Sequence, residues 1–205
     1  KPKQVNGTVS NLLYVGETAR QMGINLADIK SIKVITAVGE PGAGIKETRD
    51  RILDYWGDVF IHDAYGMTEF FPLAPNCHYS SSLHLANDFV IAEVVDPKTG
   101  EKLEEGIRGE LVLTNIISDT QPLLRFRTRD IGSITSETCE CGATNVRIVN
   151  GIEGRVDDMI WFKGVNIFPS AIEGIIRGFK QFGNEFKIVL ERKGEVQKLK
   201  IQVEV

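Results

Sequence analysis

Apolar residues recur along this chain at two distinct periods. In "VSNLLYVGETARQMG", Leu12, Val15, Ala19 and Met22 return at helical spacing, and Gly23 offers a stop. "IKVITAV" at 32–38 is short and rich in β-branched residues, which predicts a buried strand running into the flexible turn "GEPGAG". Ile45, Arg49, Ile52 and Trp56 form a second helical stripe closed by Gly57, and "VFIH" at 59–62 predicts another short strand. Helix, strand, turn, helix, strand is the alternation of an α/β layer with parallel strands.

After Pro75 the pattern changes. "DFVIAEVVDPKTGEKL" and "RGELVLTN" alternate as strands around a turn written in Asp, Pro and Gly, and "LLRFRTRDIGSI" continues the β character. This stretch predicts a small antiparallel sheet or barrel. Beyond "NGIEG", the run "RVDDMIWFKGVNIFPSAIEGIIRGF" predicts a hairpin and then a helix. That helix carries a capping-box signature from Ser170 to Glu173 and an apolar face of Ile172, Ile175, Ile176 and Phe179. Two strand-like runs, "FKIVL" and "LKIQVEV", close the chain around "ERKGE". The expected architecture is α/β over about residues 1–75, a β-rich, barrel-like subdomain over about 76–155, and a small α+β C-terminal domain over 156–205. The boundary is placed near 154–157, where a Gly-bearing connector meets a new pattern.

Composition narrows the function classes. The chain has 205 residues, enough for one good core or two small ones. Its 24 basic and 28 acidic residues leave a net charge of −4, without the basic field that nucleic acid or an anionic membrane would require. No apolar run reaches the length of a membrane span, and "KPKQVNGTVS" lacks the apolar stretch of a signal peptide. Three cysteines argue against a disulfide framework and for a reducing compartment, so the expected location is cytoplasmic.

"DAYGMTEF" at 63–70 is the first stretch that carries chemistry. A strand end followed by Gly and hydroxyl residues is where open α/β sheets bind ligands. Thr68 suits a phosphate oxygen, Glu69 suits a Mg²⁺ bridging phosphates, and Tyr65 suits stacking on a base. The plainer alternative is a tight turn with a capping hydroxyl and a solvated acid. Phe70 and Phe71 follow as candidates for an acyl pocket, or simply as core.

Three further stretches join it: "GEPG" at 39–42, "FRTRD" at 126–130 and "GRVDDMIWFKGVNIFPSAIE" at 154–173. In this order and spacing the four resemble the adenylate-forming enzymes, the superfamily of acyl-CoA synthetases and firefly luciferase. "RTRD", where most of the superfamily has Tyr-x-Thr-Gly-Asp, and "GVNIFPSAIE" resemble its phenylacetate–CoA ligase branch. The resemblance implies that Gly39, Glu40 and Pro41 wall the adenine, Tyr65 packs on its ring, Thr68 contacts the α-phosphate and Glu69 holds Mg²⁺. It implies that Asp130 takes both ribose hydroxyls, Arg155 binds the ribose and phosphate side, Asp157 is the hinge of the C-terminal domain, and Gly164 lines the pantetheine channel. The alternative for Asp130 is a surface acid paired with Arg127 or Arg129, and for Arg155 a solvated linker charge.

The chemistry so implied uses ATP, a carboxylic acid (aryl or arylacetic) and coenzyme A, with AMP and pyrophosphate as products. Nothing in the chain matches the family's phosphate loop or its C-terminal lysine. The sequence therefore resembles a partial member, a piece or one chain of a split enzyme, expected to be inactive by itself. The missing part of its own enzyme, or a second copy, is its expected macromolecular partner. Competing readings are an AMP transferase like the coenzyme F390 synthetases, a non-catalytic nucleotide-binding remnant, and a zinc-stabilised β domain without a ligand.

The cysteines pose a separate question. "CECG" places Cys139 and Cys141 in a tight turn, and Cys77, His78 and His84 lie upstream. Three thiolates and one imidazole make a closed tetrahedral structural zinc site. His84 is favoured over His78, because His78 adjoins Cys77. Three free thiols are the alternative.

Overall fold

Thr8 accepts a hydrogen bond from the N–H of Asn11 and so caps the first helix of the chain, seen here in a computed structural model that describes residues 1–179, 181–193 and 196–205. Strand β1 (Gln4–Gly7), helix α1 (Val9–Gln21), β2 (Val34–Ala37), α2 (Lys46–Trp56) and β3 (Phe60–Met67) build the α/β layer, with β1, β2 and β3 parallel. Its core packs Val9, Leu12, Leu13, Ile35, Ile52, Trp56 and Ile61 together.

The buried face of α1 differs from the expected stripe. Val9, Leu12, Leu13, Gly16 and Ala19 face the core, whereas Val15 and Met22 are exposed. The i, i+3, i+4, i+7 set starting at Val9 wins, because Gly16 lets α2 approach. A Cβ on Gly16 would lie 2.5 Å from Tyr55 Cγ, so the glycine is required by the close packing of the two helices.

β3 does not end at His62 but continues through the motif to Met67. Beyond Asp63 it leaves β2 and pairs antiparallel with β4 (Phe70–Cys77). β5 (Ser80–His84), β9 (Ile134–Thr135) and β10 (Arg147–Ile148) extend this into a seven-stranded sheet of order β1-β2-β3-β4-β5-β10-β9. The antiparallel character therefore starts at Ala64, within β3 and before the Pro75 position read from the sequence. A second sheet has the order β11-β8-β7-β6, formed by β6 (Val90–Val95), β7 (Gly109–Asn115), β8 (Phe126–Gly132) and β11 (Gly154–Arg155). Its outer strands β6 and β11 do not pair with each other among the described residues, so of the sheet or barrel expected from the sequence the described strands show the open sheet. Leu83, Leu85, Val94, Leu111, Leu113 and Ile148 fill the space that it shares with the first sheet.

The C-terminal segment forms the hairpin β12 (Ile160–Phe162) and β13 (Val165–Ile167), helix α3 (Pro169–Arg177), and the pair β14 (Phe186–Lys193) and β15 (Val196–Val203). The "ERKGE" link lies partly outside the described residues. The expected capping box does not form. Ser170 Oγ instead donates to the Glu153 carbonyl, and Glu173 pairs with Arg177 one turn on. Ile172 and Ile176 are buried while Ile175 and Phe179 are exposed, so the buried stripe is narrower than the sequence suggested. The segment docks on the α/β layer: Arg51 of α2 donates to the carbonyls of Phe182 and Gly183, and Asn184 donates to Glu17 of α1.

Candidate functional site

A cavity of about 460 Å³ opens at the carboxyl ends of β2 and β3, between the two sheets. Carboxyl ends of parallel strands are where open α/β sheets place ligands. Gly39, Glu40 and Pro41 line one side, Tyr65 and Glu69 another, and Asp130 and Arg155 a third.

The sharpest geometry is at Asp130. Its carboxylate is buried, accepts the Tyr65 hydroxyl at 2.5 Å on Oδ2, and accepts Arg155 Nη1 at 2.8 Å on Oδ1. Arg155 in turn donates through Nε and Nη2 to both oxygens of Asp157, at 2.9 and 3.0 Å. Arg127 and Arg129, the partners weighed for Asp130 from sequence, pair elsewhere, with Glu110 and with Asp157. Burial raises the Asp130 carboxyl above its ordinary range, against the pull of Tyr65 and Arg155. The Tyr65 phenol is pushed far up, first by burial and then by the Asp130 charge, and stays a donor.

The strand that carries Asp130 is shaped to present it. Between Val112↔Arg127 and Glu110↔Ile131, β7 advances two residues while β8 advances four, and Arg129 sits at φ +65. A left-handed residue suits glycine, which is what the superfamily pattern has at that position. Glu110, buried at 1% exposure, accepts the Arg129 N–H at 3.1 Å and binds the Arg127 guanidinium. Thr128 accepts the Asp130 N–H and donates to the Leu111 carbonyl. Glu110 and Thr128 were not singled out in the sequence, since an acid in a strand-like run gives no periodic signal.

Asp63, the first residue of the motif, is a further member of the site that sequence reasoning left without a role. It lines the cavity, and burial pushes its carboxyl up to about 6 against the Arg49 charge. Its place directly after an apolar strand was the available clue. Glu69 lines the cavity and makes no ion pair among the described residues. Thr68 is exposed in the turn beside it and does not line the cavity; neither do Asp157 or Gly164. Gly164 follows Lys163 in the exposed turn between β12 and β13, both at positive φ. Phe70 lies in the core, tilted against Phe126 at 5.9 Å, rather than in the cavity wall. The Phe71 side chain lies outside the described residues.

Away from the cavity, Cys77, His84, Cys139 and Cys141 come together, each with a ligand atom within 4.8 Å of the others. His78 does not join them: its ring stacks on Phe60 at 3.8 Å.

Residues 164–205 match the family described as the AMP-binding enzyme C-terminal domain. The chain is 31% identical along its whole length to phenylacetate–coenzyme A ligases of Thermus thermophilus and of Pseudomonas putida, covering 46% of each. The chain thus spans about half the length of the curated relatives it matches. A 2-hydroxyisobutyryl-CoA ligase in its postadenylation state, in complex with R3-HIB-AMP, superposes with a TM-score of 0.88 at 30% identity over 98% of this chain and 43% of that one. The same ligase in its thioesterification state superposes with 0.69 over the same shares. No helix among the described residues is long and apolar enough to cross a membrane.

Proposed function

Since the chain belongs to the adenylate-forming enzymes, in the branch of the phenylacetate–CoA ligases, we propose that it forms the adenosine-binding half of an AMP-forming acid–CoA ligase. The observation that carries this is the Asp130 carboxylate, buried at the cavity and bracketed by Tyr65 and Arg155. In the proposed reaction an acid oxygen attacks the α-phosphorus of ATP, the bond to the β-phosphate breaks, and pyrophosphate leaves. The CoA sulfur then attacks the acyl carbon, and AMP leaves.

The residues of this chain bind and orient. Asp130 exchanges its two present donors for the two ribose hydroxyls, which a carboxylate can accept together. Released from Asp130, Arg155 turns toward the ribose and phosphate side. Tyr65, at the edge between the sheets, offers a ring face to adenine, with the main chain of Gly39, Glu40 and Pro41 opposite. The Glu69 carboxylate would hold Mg²⁺, which would supply charge neutralisation on the phosphates, and the exposed Thr68 hydroxyl beside it would contact the α-phosphate. The residues around Asp157 form the turning point of the C-terminal segment, and the closer match to the postadenylation arrangement supports that reading. Gly164 then serves the CoA-facing arrangement. The acid is proposed to be aryl or arylacetic, as the names of the curated relatives suggest.

Calorimetric titration with AMP tests the reading. Saturable binding is expected, weakened tenfold to a hundredfold in Asp130→Asn, the loss of about 1.5–3 kcal/mol of charged hydrogen bonding. No binding by the folded wild type, or equal binding by the variant, overturns it. CoA-dependent turnover of an aryl-acid panel by the whole protein separates the ligase from an AMP transferase.

A further inference from the structure

We infer that Cys77, His84, Cys139 and Cys141 form a closed structural zinc site, which clamps the sheet behind the cavity. The four residues come from three separate stretches: the last residue of β4, the last residue of β5, and the turn between β9 and β10. Cys77 Sγ lies 3.8 Å from Cys139 Sγ, and Cys141 Sγ lies 3.9 Å from His84 Nε2. A tetrahedral zinc with ordinary bond lengths needs ligand–ligand edges of about 3.5–3.8 Å, so these atoms already stand close to the corners of such a site. A disulfide would need about 2.05 Å between sulfurs.

The turn is tight. Gly142, at φ +86, donates its N–H to the Cys139 carbonyl at 2.8 Å, and the Cys139 N–H donates to the Ala143 carbonyl at 3.0 Å, which holds Cys139 and Cys141 in one compact loop. Three thiolates, one neutral imidazole and Zn²⁺ sum to one negative charge. Arg147 pairs directly across from His84, and its Nε is buried without a hydrogen-bond partner among the described residues. A guanidinium left half-satisfied beside an anionic cluster is the complement such a site requires. Three sulfurs and one nitrogen in tetrahedral array favour zinc over the oxygen-seeking cations, and with no open position the metal is structural.

The clamp has a place in the work of the site. Asn76, next to Cys77, accepts the Asp63 N–H and donates to the Ile61 carbonyl, and so holds β3 at the start of the motif. A metal that fixes Cys77 fixes that grip. The inference stands independently of the nucleotide reading.

Protein purified without chelator and analysed by plasma mass spectrometry should carry about one zinc per chain. Cobalt added to the demetallated protein should give the visible bands of tetrahedral thiolate coordination. Zinc content should fall several-fold in His84→Gln and in Cys139→Ser, and stay at the wild-type level in His78→Gln. If Cys139→Ser does not fold, chelator titration of the wild type serves instead: metal loss should lower the melting temperature and expose three reactive thiols. Well under one zinc per wild-type chain, three thiols reactive in the native state as isolated, a Cys77–Cys139 disulfide, or full zinc in His84→Gln would each overturn the site.

Discussion

Glu110 Oε1 accepts the main-chain N–H of Arg129 at 3.1 Å, one residue before the carboxylate that the cavity presents. An acid at 1% exposure is thus the inner support of the strand distortion that aims Asp130. Glu110→Gln leaves the shape and removes the charge that Arg127 neutralises. It should cost about 1.5–3 kcal/mol of stability, the range for hydrogen bonds to charged groups. AMP affinity should fall with it, because Asp130 loses its orientation. Urea unfolding alongside AMP titration checks both; an unchanged affinity would show that Thr128 alone suffices.

Asp63 predicts a pH dependence of defined sign. Its folded-state value, about 6, is raised by burial. The folded chain therefore holds the proton more tightly than the unfolded one. The stabilisation is complete below the ordinary carboxylate range and is lost as pH rises through about 6. The difference in unfolding free energy between wild type and Asp63→Asn should fall across that window and level off above it. A flat difference would mean that water reaches the carboxylate.

Gly16→Ala tests the helix contact. The added methyl would meet Tyr55 Cγ at 2.5 Å. Overpacking of this kind costs about 1–3 kcal/mol, more than the helix gains from alanine, and each kcal/mol lowers the melting point of a chain this size by roughly 2–4 °C. Thermal unfolding should show a net loss of several degrees.

Arg51→Ala removes two hydrogen bonds to the loop before β14. It should loosen the C-terminal segment from α1 and α2 by about 1–3 kcal/mol. Limited proteolysis near residues 156–159 should speed up several-fold, with AMP binding little changed. Unchanged cleavage would place the docking energy in Asn184 and Glu17 instead.

Much of this was legible in the sequence because each signal was local. Gly39 to Pro41, Tyr65, Glu69, Asp130 and Arg155 could be named from short motifs, and all reach one cavity. What could not be read was set by distant partners. Ser170 has the spacing of a capping box, but the Glu153 carbonyl offers its hydroxyl a better acceptor. Val15 fits a helical stripe as well as Leu13 does; only the approach of Tyr55 to Gly16 decides which side is buried. His78 and His84 were separable only weakly by spacing, and it is the Phe60 ring that occupies His78.

Strand β3 belongs to two layers in turn, parallel to β2 up to Asp63 and antiparallel to β4 beyond it. It therefore acts as a seam that descendants of the fold cannot easily cut. A crossover between relatives inside residues 60–77 would join registers that never coexisted, and would misplace Asp63, Tyr65 and Glu69 relative to one another. Exchange is far safer at the connector after β11. The part of the protein most open to shuffling is then the C-terminal segment, while the cavity wall must be inherited whole.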